Sequence, residues 1–425
     1  MNSFWRIFFL EATAIIRSKT LAMLSLASVV WMVVFPWIVK SDGTIEGARE
    51  LYVRFSLGGV FMLLVISLMA SATGSIARER AAKRLQLTMV RPVRYFAIAL
   101  GKIAAHIASG AVVLAIATAI LAFKADLSRE CSHVHSPILP TPREEAEAMY
   151  KVYMEDPQSP PELKNVRKAT VIRILTQRAR DHYQTIPTNG VARWQFFAAD
   201  KRQGWTQPTT DGKIRFKFTN MHDTRQDIKG TVRWGSLVGE FSSMTRSFVE
   251  VPFKEGALEN ASPDEGEISV HNTGSGPLML RQRQDVHLLL PADSFGMNLL
   301  RAYLELVAIL GLVIAFGTFL SAGLGRPVAL FVAMVTLTVT EMSPSVIEQY
   351  PDQFETNRID RMGLAIARAA AKITRPVSAL SPLETLSRDE CVEWDDVLAK
   401  LMMCLLVMPC AFAFLAALMM PRKSE

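Results

Sequence analysis

Six apolar segments constrain the fold of this chain more than any other feature. A helix needs about 20 apolar residues to cross a hydrocarbon core of about 30 Å, and stretches of that kind recur between polar regions. Hydrophobic residues make up 50% of the 425 residues, which is high for a soluble protein of mixed domains. We therefore predict an α-helical integral membrane protein with six transmembrane helices. The predicted spans lie at residues 21–39, 55–76, 96–123, 299–320, 328–342 and 397–420.

Basic residues fall on one side of these segments if successive segments cross in opposite directions. Six Lys/Arg lie between Arg78 and Arg94, and others precede the first segment, stand at Arg326 and end the chain. The opposite short loop, residues 41–50, is acidic. The positive-inside rule then places both termini in the cytoplasm and the polar block outside. Topology thus accounts for the net charge of +7, and we predict no nucleic-acid partner.

The regions outside the spans differ in character. Residues 1–20 have the pattern of an amphipathic helix that lies on the cytoplasmic membrane surface. Residues 124–298 show two helical patterns and then short segments that alternate apolar and polar residues, such as KIRFKF. This block predicts an extracytoplasmic α+β domain, a helical hairpin followed by a β-sandwich. Residues 343–396 predict an outer loop with an amphipathic helix, and residues 421–425 a cytoplasmic tail.

Signatures of catalysis and nucleotide binding do not occur in the sequence. There is no Gly-x-x-x-x-Gly-Lys-Ser/Thr phosphate loop, no His-Glu-x-x-His and no Gly-x-Ser-x-Gly. We therefore expect a chain that is not an enzyme and carries no cofactor or metal ion. Any energy that drives it would have to come from elsewhere.

Residues 77–102, ARERAAKRLQLTMVRPVRYFAIALGK, resemble the permease subunit of type-2 ABC exporters. In that family an amphipathic arm and two spans precede a short cytoplasmic segment with Glu-Arg, a Leu-Leu-x-x-Pro end and a Gly-Lys pair that opens the third span. Ala82 and Lys83 depart from the Gly-Thr that is common there. The resemblance covers residues 2–123 and 297–420 and says little about the outer insert. The matching positions are Glu79, Arg80, Leu85, Leu87, Pro92, Gly101 and Lys102.

The resemblance implies a function and partners. The chain would be the membrane permease of an ATP-binding cassette transporter that exports an unidentified substrate across a bacterial-type plasma (inner) membrane. It would act as a homodimer with separate ABC ATPase subunits, which push on residues 77–94 as the coupling segment. The same charges could instead enforce topology and bind anionic membrane lipid. The implied ATPase-coupling residues are Arg78, Glu79, Arg80, Lys83, Arg84, Leu87 and Pro92.

The role of the outer domain leaves alternatives open. An ABC-type mechanotransmitter or scaffold, whose outer domain engages periplasmic partners without transport, would use the same membrane fold. The tryptophans of the block could form a carbohydrate or lipid platform or pack in the core of a sandwich. Cys131, His133 and His135 could ligate copper or zinc from one strand, although three ligands without a partner cluster are a weak signal. The tryptophans in question are Trp194, Trp205 and Trp234.

Several charged residues fall inside the predicted spans. Lys102 and Lys400 lie near span ends, where lysine side chains snorkel toward the headgroups. Arg301 and Glu305 are spaced i, i+4 on the fourth span, and a carboxylate at that depth is costly unless it is paired. We therefore predict an intramembrane pair between Arg301 and Glu305, which would line a lateral opening or a dimer seam.

Cys131 and Cys391 are predicted to form a disulfide bond. Both fall outside the membrane, where the redox environment permits disulfides, whereas Cys404 and Cys410 fall in the sixth span. Peptide maps under reducing and non-reducing conditions should show one linked peptide pair that separates on reduction. Free thiols at both positions would contradict the prediction.

Overall fold

A computed structural model gives the chain two compact units, Met1–Glu130 with Asp293–Glu425, and Cys131–Ala292. The second unit lies within the predicted outer domain, residues 124–298. The long apolar segments and most of the polar block therefore belong to different compact units. The structure describes residues 3–38, 45–82, 94–124, 129–155, 168–180, 183–196, 212–219, 226–234, 237–245, 247–253, 267–282, 285–349 and 381–420.

The elements follow one another as helices, then strands, then helices again. The first part contains α1 (Ser3–Arg17), α2 (Thr20–Ile38), α3 (Ile45–Ala81) and α4 (Tyr95–Lys124). The middle part contains β1 (Glu130–His135), α5 (Pro142–Glu155), α6 (Lys168–Arg180), β2 (Tyr183–Ile186), β3 (Val191–Gln195), β4 (Gly212–Lys217), β5 (Asp227–Trp234), β6 (Leu237–Met244), β7 (Phe248–Phe253), β8 (Glu267–Asn272), β9 (Leu278–Arg281) and β10 (Val286–Ser294). The last part contains α7 (Phe295–Gly323), α8 (Arg326–Gln349), α9 (Ser381–Ser387), α10 (Trp394–Lys400), a π-helical segment (Leu401–Val407) and α11 (Met408–Met419).

Among the described residues, four helices are long and apolar enough to cross a membrane. A fifth candidate is α1 together with residues Ala22–Phe35, which are bent by 60° and pass the test only as a pair, as a broken span or a re-entrant loop. The chain is thus a multi-pass membrane protein, but the prediction of six separate spans is not confirmed. The predicted first span qualifies only together with α1, and α8 has only a short apolar stretch, Arg326–Thr338. The four long helices are Gly47–Ala81, Tyr95–Lys124, Phe295–Gly323 and Trp394–Met419.

Helix α7 is the central helix of the first unit. Its sequence is apolar on every side, and a helix of that kind lies in a core. It packs against α3, α4, α8 and α11, and its buried residues join theirs in one cluster. Ser294 caps its first turn, because the Ser294 hydroxyl oxygen accepts a hydrogen bond from the Met297 backbone N–H at 3.3 Å. The helix therefore begins directly where β10 ends.

Helix α3 is much longer than the predicted span 55–76. Its 37 residues would measure about 55 Å, nearly twice the thickness of a hydrocarbon core. Arg78, Glu79 and Arg80 lie in its last turns and so continue the span without a break. The predicted coupling segment 77–94 therefore begins as part of this helix, and its residues 83–93 lie outside the described part of the chain.

The last span is not a uniform α-helix. Between Lys400 and Met408 it is π-helical, and the Met408 backbone N–H donates to the Met403 carbonyl oxygen five residues earlier. Pro409 stands two residues after the end of this segment, and a proline has no N–H to continue the ladder. The hydropathy of residues 397–420 predicts the span but not this irregularity.

The second unit contains the predicted antiparallel strands. One four-stranded sheet has the order β1-β10-β4-β7, another has the order β3-β8-β5-β6, and β2 pairs with β9. The registers pair Phe216 with Val286 and with Val249, and Val232 with Val270. Apolar residues from both four-stranded sheets join one buried cluster, and the arrangement of the sheets as a sandwich stays a prediction.

Tryptophans of this unit lie in that cluster. Trp194 and Trp234 are 3% and 2% exposed and pack against Phe216 and Phe253. Their rings are therefore not available as a ligand platform. Trp205 lies outside the described residues.

Helices α5 and α6 pack on each other through a separate small core, as the predicted hairpin requires. Ala146, Val171 and Leu175 are buried there. Thr141 and Glu144 cap α5 reciprocally: the Glu144 N–H donates to Thr141 Oγ1 at 3.2 Å, and the Thr141 N–H donates to Glu144 Oε2 at 2.7 Å.

An ion-pair group stabilises the pairing of β4 with β7. Glu250 stands directly opposite Arg215 in the register, and its carboxylate accepts from Arg215 Nε at 2.9 Å and from Lys213 Nζ at 3.0 Å. Burial by itself raises the pKa of the Glu250 carboxyl group. Attraction to Arg215 and Lys213 outweighs burial, so that the pKa lies below its ordinary value of 4.5.

This depressed pKa predicts a pH dependence of the second unit. The stability that the Glu250 carboxylate contributes is fully present above about pH 4.5 and is lost as the pH falls through the lower folded-state pKa. Glu250→Gln should reduce stability at pH 7 and flatten its dependence on pH below 4.5, measured by denaturant titration of the full-length protein. An exposed carboxylate of β6, changed as Glu240→Gln, serves as the control. If the stability of Glu250→Gln fell with pH below 4.5 as steeply as that of the wild-type protein, the prediction would be wrong.

Candidate functional site

Lys102 joins three helices of the membrane unit. Its ammonium donates to Glu11 Oε2 on α1 and to Glu79 Oε1 on α3, both at 2.8 Å, while Lys102 itself lies on α4. Its side chain is 3% exposed, whereas those of Glu11 and Glu79 are 12% and 29% exposed. A buried ammonium is costly unless it is paired, and two charge-assisted hydrogen bonds satisfy it here. We call Lys102, Glu11 and Glu79 the Lys102 junction.

Gly101 lets α1 approach α4 closely enough for this junction to form. A Cβ at Gly101 would lie 3.0 Å from Ile7 Cγ2 and 3.3 Å from the Phe4 carbonyl oxygen, tighter than most real contacts. Phe4, Ile7 and Glu11 are spaced i, i+3 and i+7 and so share one face of α1. The predicted amphipathic helix therefore exists, with its only carboxylate on the face that packs against α4.

The prediction that Lys102 snorkels is therefore wrong. Lys102 lies in the third turn of α4, where its side chain meets two carboxylates before it can reach a headgroup. Glu11 was missed because the sequence analysis treated the arm as a surface helix. The available signal was that Glu11 is the only carboxylate before Asp42.

A polar chain leads from the junction into the bundle. His106, one turn further along α4, is 1% exposed. Its Nδ1 lies 2.9 Å from the Lys102 carbonyl oxygen, and its Nε2 lies 3.0 Å from Ser71 Oγ on α3. Both ring nitrogens thus have partners, and α4 is fixed to α3 at a second level.

The Arg80 side chain binds backbone carbonyl groups at the C-terminal end of α7. Its guanidinium donates to the Ala322 carbonyl oxygen at 2.7 Å and to the Leu324 carbonyl oxygen at 3.1 Å. A cation there satisfies carbonyl groups that a helix C-terminus leaves unpaired. Among the predicted ATPase-coupling residues, Glu79 and Arg80 therefore hold α3 to α4 and α7. Lys83, Arg84, Leu87 and Pro92 lie outside the described residues.

A second charged group lies at the opposite end of the bundle, where Arg301 and Glu305 have separate partners. Arg301 forms an ion pair with Asp293, whereas Glu305 forms one with Lys400. The predicted pair between Arg301 and Glu305, and snorkelling by Lys400, are therefore not what the structure forms. Long helical side chains point toward the helix N-terminus, which carries Arg301 toward Asp293. Glu305, 2% exposed, instead faces the neighbouring helix.

The same end of α7 holds the residues around Cys391. The side-chain amide of Asn298, which is completely buried, donates to the Glu390 carbonyl oxygen at 2.7 Å. Its oxygen accepts from the Val392 backbone N–H at 2.8 Å. Arg301 also donates to the Val392 carbonyl oxygen and lies 5.0 Å from the Trp394 ring centroid. Cys391 is thus held on both sides by α7.

The four cysteines are of two kinds, and the pairing of Cys131 with Cys391 stays a prediction. Cys131 and Cys391 are disulfide-bonded, whereas Cys404 and Cys410 are free thiols. A bonded sulfur is not a thiolate, so Cys131 does not complete a metal site with the histidines of β1. In the described stretches of the chain, no group of three His, Cys, Asp or Glu side chains could hold a metal ion.

The contacts of these groups link elements of the membrane unit to one another. Neither a protein-family model, nor a curated protein, nor a solved structure matches this chain.

The Lys102 junction predicts a large effect of one substitution. Lys102→Met should destabilise the membrane unit by about 3 kcal/mol, because it leaves Glu11 and Glu79 without their cation. Adding Glu11→Gln and Glu79→Gln should restore most of the loss, since no uncompensated charge then remains. Unfolding of the full-length protein by SDS, followed by circular dichroism, measures both effects.

Lys124→Met on the same helix is the matched control. Lys124 is exposed, with its Nζ 3.5 Å from the Met32 carbonyl oxygen and 5.3 Å from the Tyr52 ring centroid. It should cost less than about 1 kcal/mol. Equal losses in Lys102→Met and Lys124→Met would contradict the assignment.

Proposed function

We propose that this chain is the permease subunit of an ABC exporter of the type-2 class. It would move an unidentified substrate across a bacterial-type plasma membrane with energy from a separate ATPase. The observation that carries the proposal is the Lys102 junction, which ties the amphipathic arm, the end of α3 and the start of α4 through one ammonium. These are the elements that flank the coupling segment in the family that the sequence resembles.

The junction suggests how a push would reach the spans. An ATPase that moves residues 83–93 moves the end of α3 on one side of that segment and the start of α4 on the other. Because Lys102 and Arg80 link those ends to α1 and α7, the helices would shift as one rigid group. Rigid-body motion of packed helices is a recurring way to switch a membrane protein between two states. The proposed assembly is a homodimer with two ATPase subunits and both termini in the cytoplasm.

A second function is favoured by the second unit. Cys131–Ala292 forms a compact body with its own buried core, which is more than an export path requires. In a mechanotransmitter, the ATPase would act through the membrane unit on a partner of this body, without transport. Both functions require the ATPase, but only the exporter moves a solute across the membrane.

The ATPase contact is the first prediction to test. The full-length chain purified from its own membranes should carry an ABC ATPase, identified by mass spectrometry. Lys83→Gln with Arg84→Gln should lower recovery of that ATPase on the order of tenfold, because two charge-assisted contacts are lost. Arg6→Gln with Arg17→Gln removes the same charge from the exposed side of α1 and should leave recovery unchanged. Purification without any ABC ATPase would contradict both functions.

Flux separates the two functions. Inside-out vesicles that contain the complex should accumulate a solute from cell extract only when ATP is present, read by untargeted mass spectrometry of the vesicle contents. Vesicles without this chain provide the background. ATP hydrolysis with no accumulated solute would favour the mechanotransmitter.

A further inference from the structure

Two arginines converge on one point beside α3. The position that a Cβ of Gly74 would occupy lies 3.0 Å from Arg78 Nε and 3.1 Å from Arg326 Nε. The two Nε atoms are thus at most about 6 Å apart, close enough for two positive charges to repel. Arg78 lies on α3, and Arg326 is the first residue of α8, so the convergence is made by the fold and not by neighbouring positions in the sequence.

Acidic side chains do not balance this pair in the described part of the chain. Arg78 Nε donates to the Gly74 carbonyl oxygen at 2.9 Å, and no ion pair there joins Arg78 or Arg326 to a carboxylate. Glu79, the nearest carboxylate in the sequence, is bound to Lys102. Residues 83–93 add three cations and no carboxylate. Both arginines are exposed, so an anion from outside the chain can reach them.

The depth of the pair selects the kind of anion. Ser321 Oγ accepts from the Ile76 backbone N–H at 3.2 Å, which places this part of α3 level with the last turn of α7. Arg78 reaches back from there by one turn, to Gly74, and therefore toward the span rather than past its end. Helix α7 has 29 residues and would measure about 44 Å, the thickness of a bilayer with its headgroups, so we expect its last turn at the level of the lipid phosphates. To contact a subunit docked beyond the helix ends, the Arg78 side chain would have to point away from Gly74, past the end of α3.

We propose that Arg78 and Arg326 form a binding site for the phosphate of an anionic phospholipid. Guanidinium groups offer forked N–H donors that match phosphate oxygens, and two of them around one phosphate would neutralise their mutual repulsion. Gly74 belongs to the site because its missing side chain leaves room for both guanidinium groups. The site rests on this geometry and not on the proposed transport function.

Native mass spectrometry of the full-length protein tests the site. Phosphatidylglycerol should bind on the order of tenfold more tightly than phosphatidylcholine, and Arg78→Gln with Arg326→Gln should remove that preference. Arg78→Lys with Arg326→Lys should keep only part of it, because ammonium groups lack the fork. Arg54→Gln, an exposed arginine near the other end of α3, should keep all of it.

Gly74→Ala gives a test that changes no charge. Its Cβ would require both guanidinium groups to shift by a few tenths of an ångström, which should lower the preference for phosphatidylglycerol. Gly58→Ala on the same helix should not, because its Cβ would only touch Leu383 Cδ1 at an ordinary 3.5 Å. SDS-induced unfolding of each variant confirms that the fold is retained.

Three outcomes would overturn the proposal. One is an equal affinity of the wild-type protein for the two lipids. Another is displacement of phosphatidylglycerol by inorganic phosphate at equal concentration, which would mean that the pair recognises free phosphate. The third is an unchanged lipid preference in Arg78→Gln with Arg326→Gln accompanied by loss of the ATPase, which would assign the pair to that subunit. Loss of lipid preference with normal ATPase recovery would support the site and leave the proposed function unaffected.

Discussion

One ammonium between two carboxylates organises the membrane unit. The Lys102 ammonium is shielded from water. The free-energy cost of burying it is therefore offset only when both Glu11 and Glu79 contact it. Glu11 brings the amphipathic arm and Glu79 brings the end of α3. The position of α1 is thus not set by lipid alone, because the arm is attached to the bundle by charge as well as by the Gly101 contact. The remaining contacts at this end, through Arg80 and His106, extend the same connection to α7 and back to α3.

The sequence predicted the helices of this unit better than their contacts. Hydropathy reports how apolar a stretch is, and four of the predicted spans correspond to long apolar helices. It does not report where a helix ends, so α3 exceeded its prediction at both ends. Nor does it report partners. Spacing on one helix suggested that Arg301 would meet Glu305, but neighbouring helices supplied Asp293 and Lys400. Pairing across helices depends on packing that no single segment encodes.

The second unit shows the same division. Strands with strict alternation, such as β4 and β5, were predicted from their pattern. Strands β2 and β9 have four residues each, too few for a pattern to stand out, and β6 contains Gly239 and a pair of serines that weaken its propensity. These strands form because partners offer them hydrogen bonds and a buried face. β6 pairs along its whole length with β5. Pairing with β5 therefore fixes the extended conformation that the residues of β6 favour only weakly.

The π-helical segment of the last span changes how that span should be drawn. Backbone bonds there reach back five residues instead of four, so the segment accommodates about one residue more than an α-helix would over the same stretch. A single helical wheel over Trp394–Met419 would therefore rotate everything after Val407 by about 100°, the angle of one residue. Phe412, which packs on Phe316 and Phe319, would then be assigned to the wrong face. Any mutational scan of this span needs two wheels, one for each side of the segment.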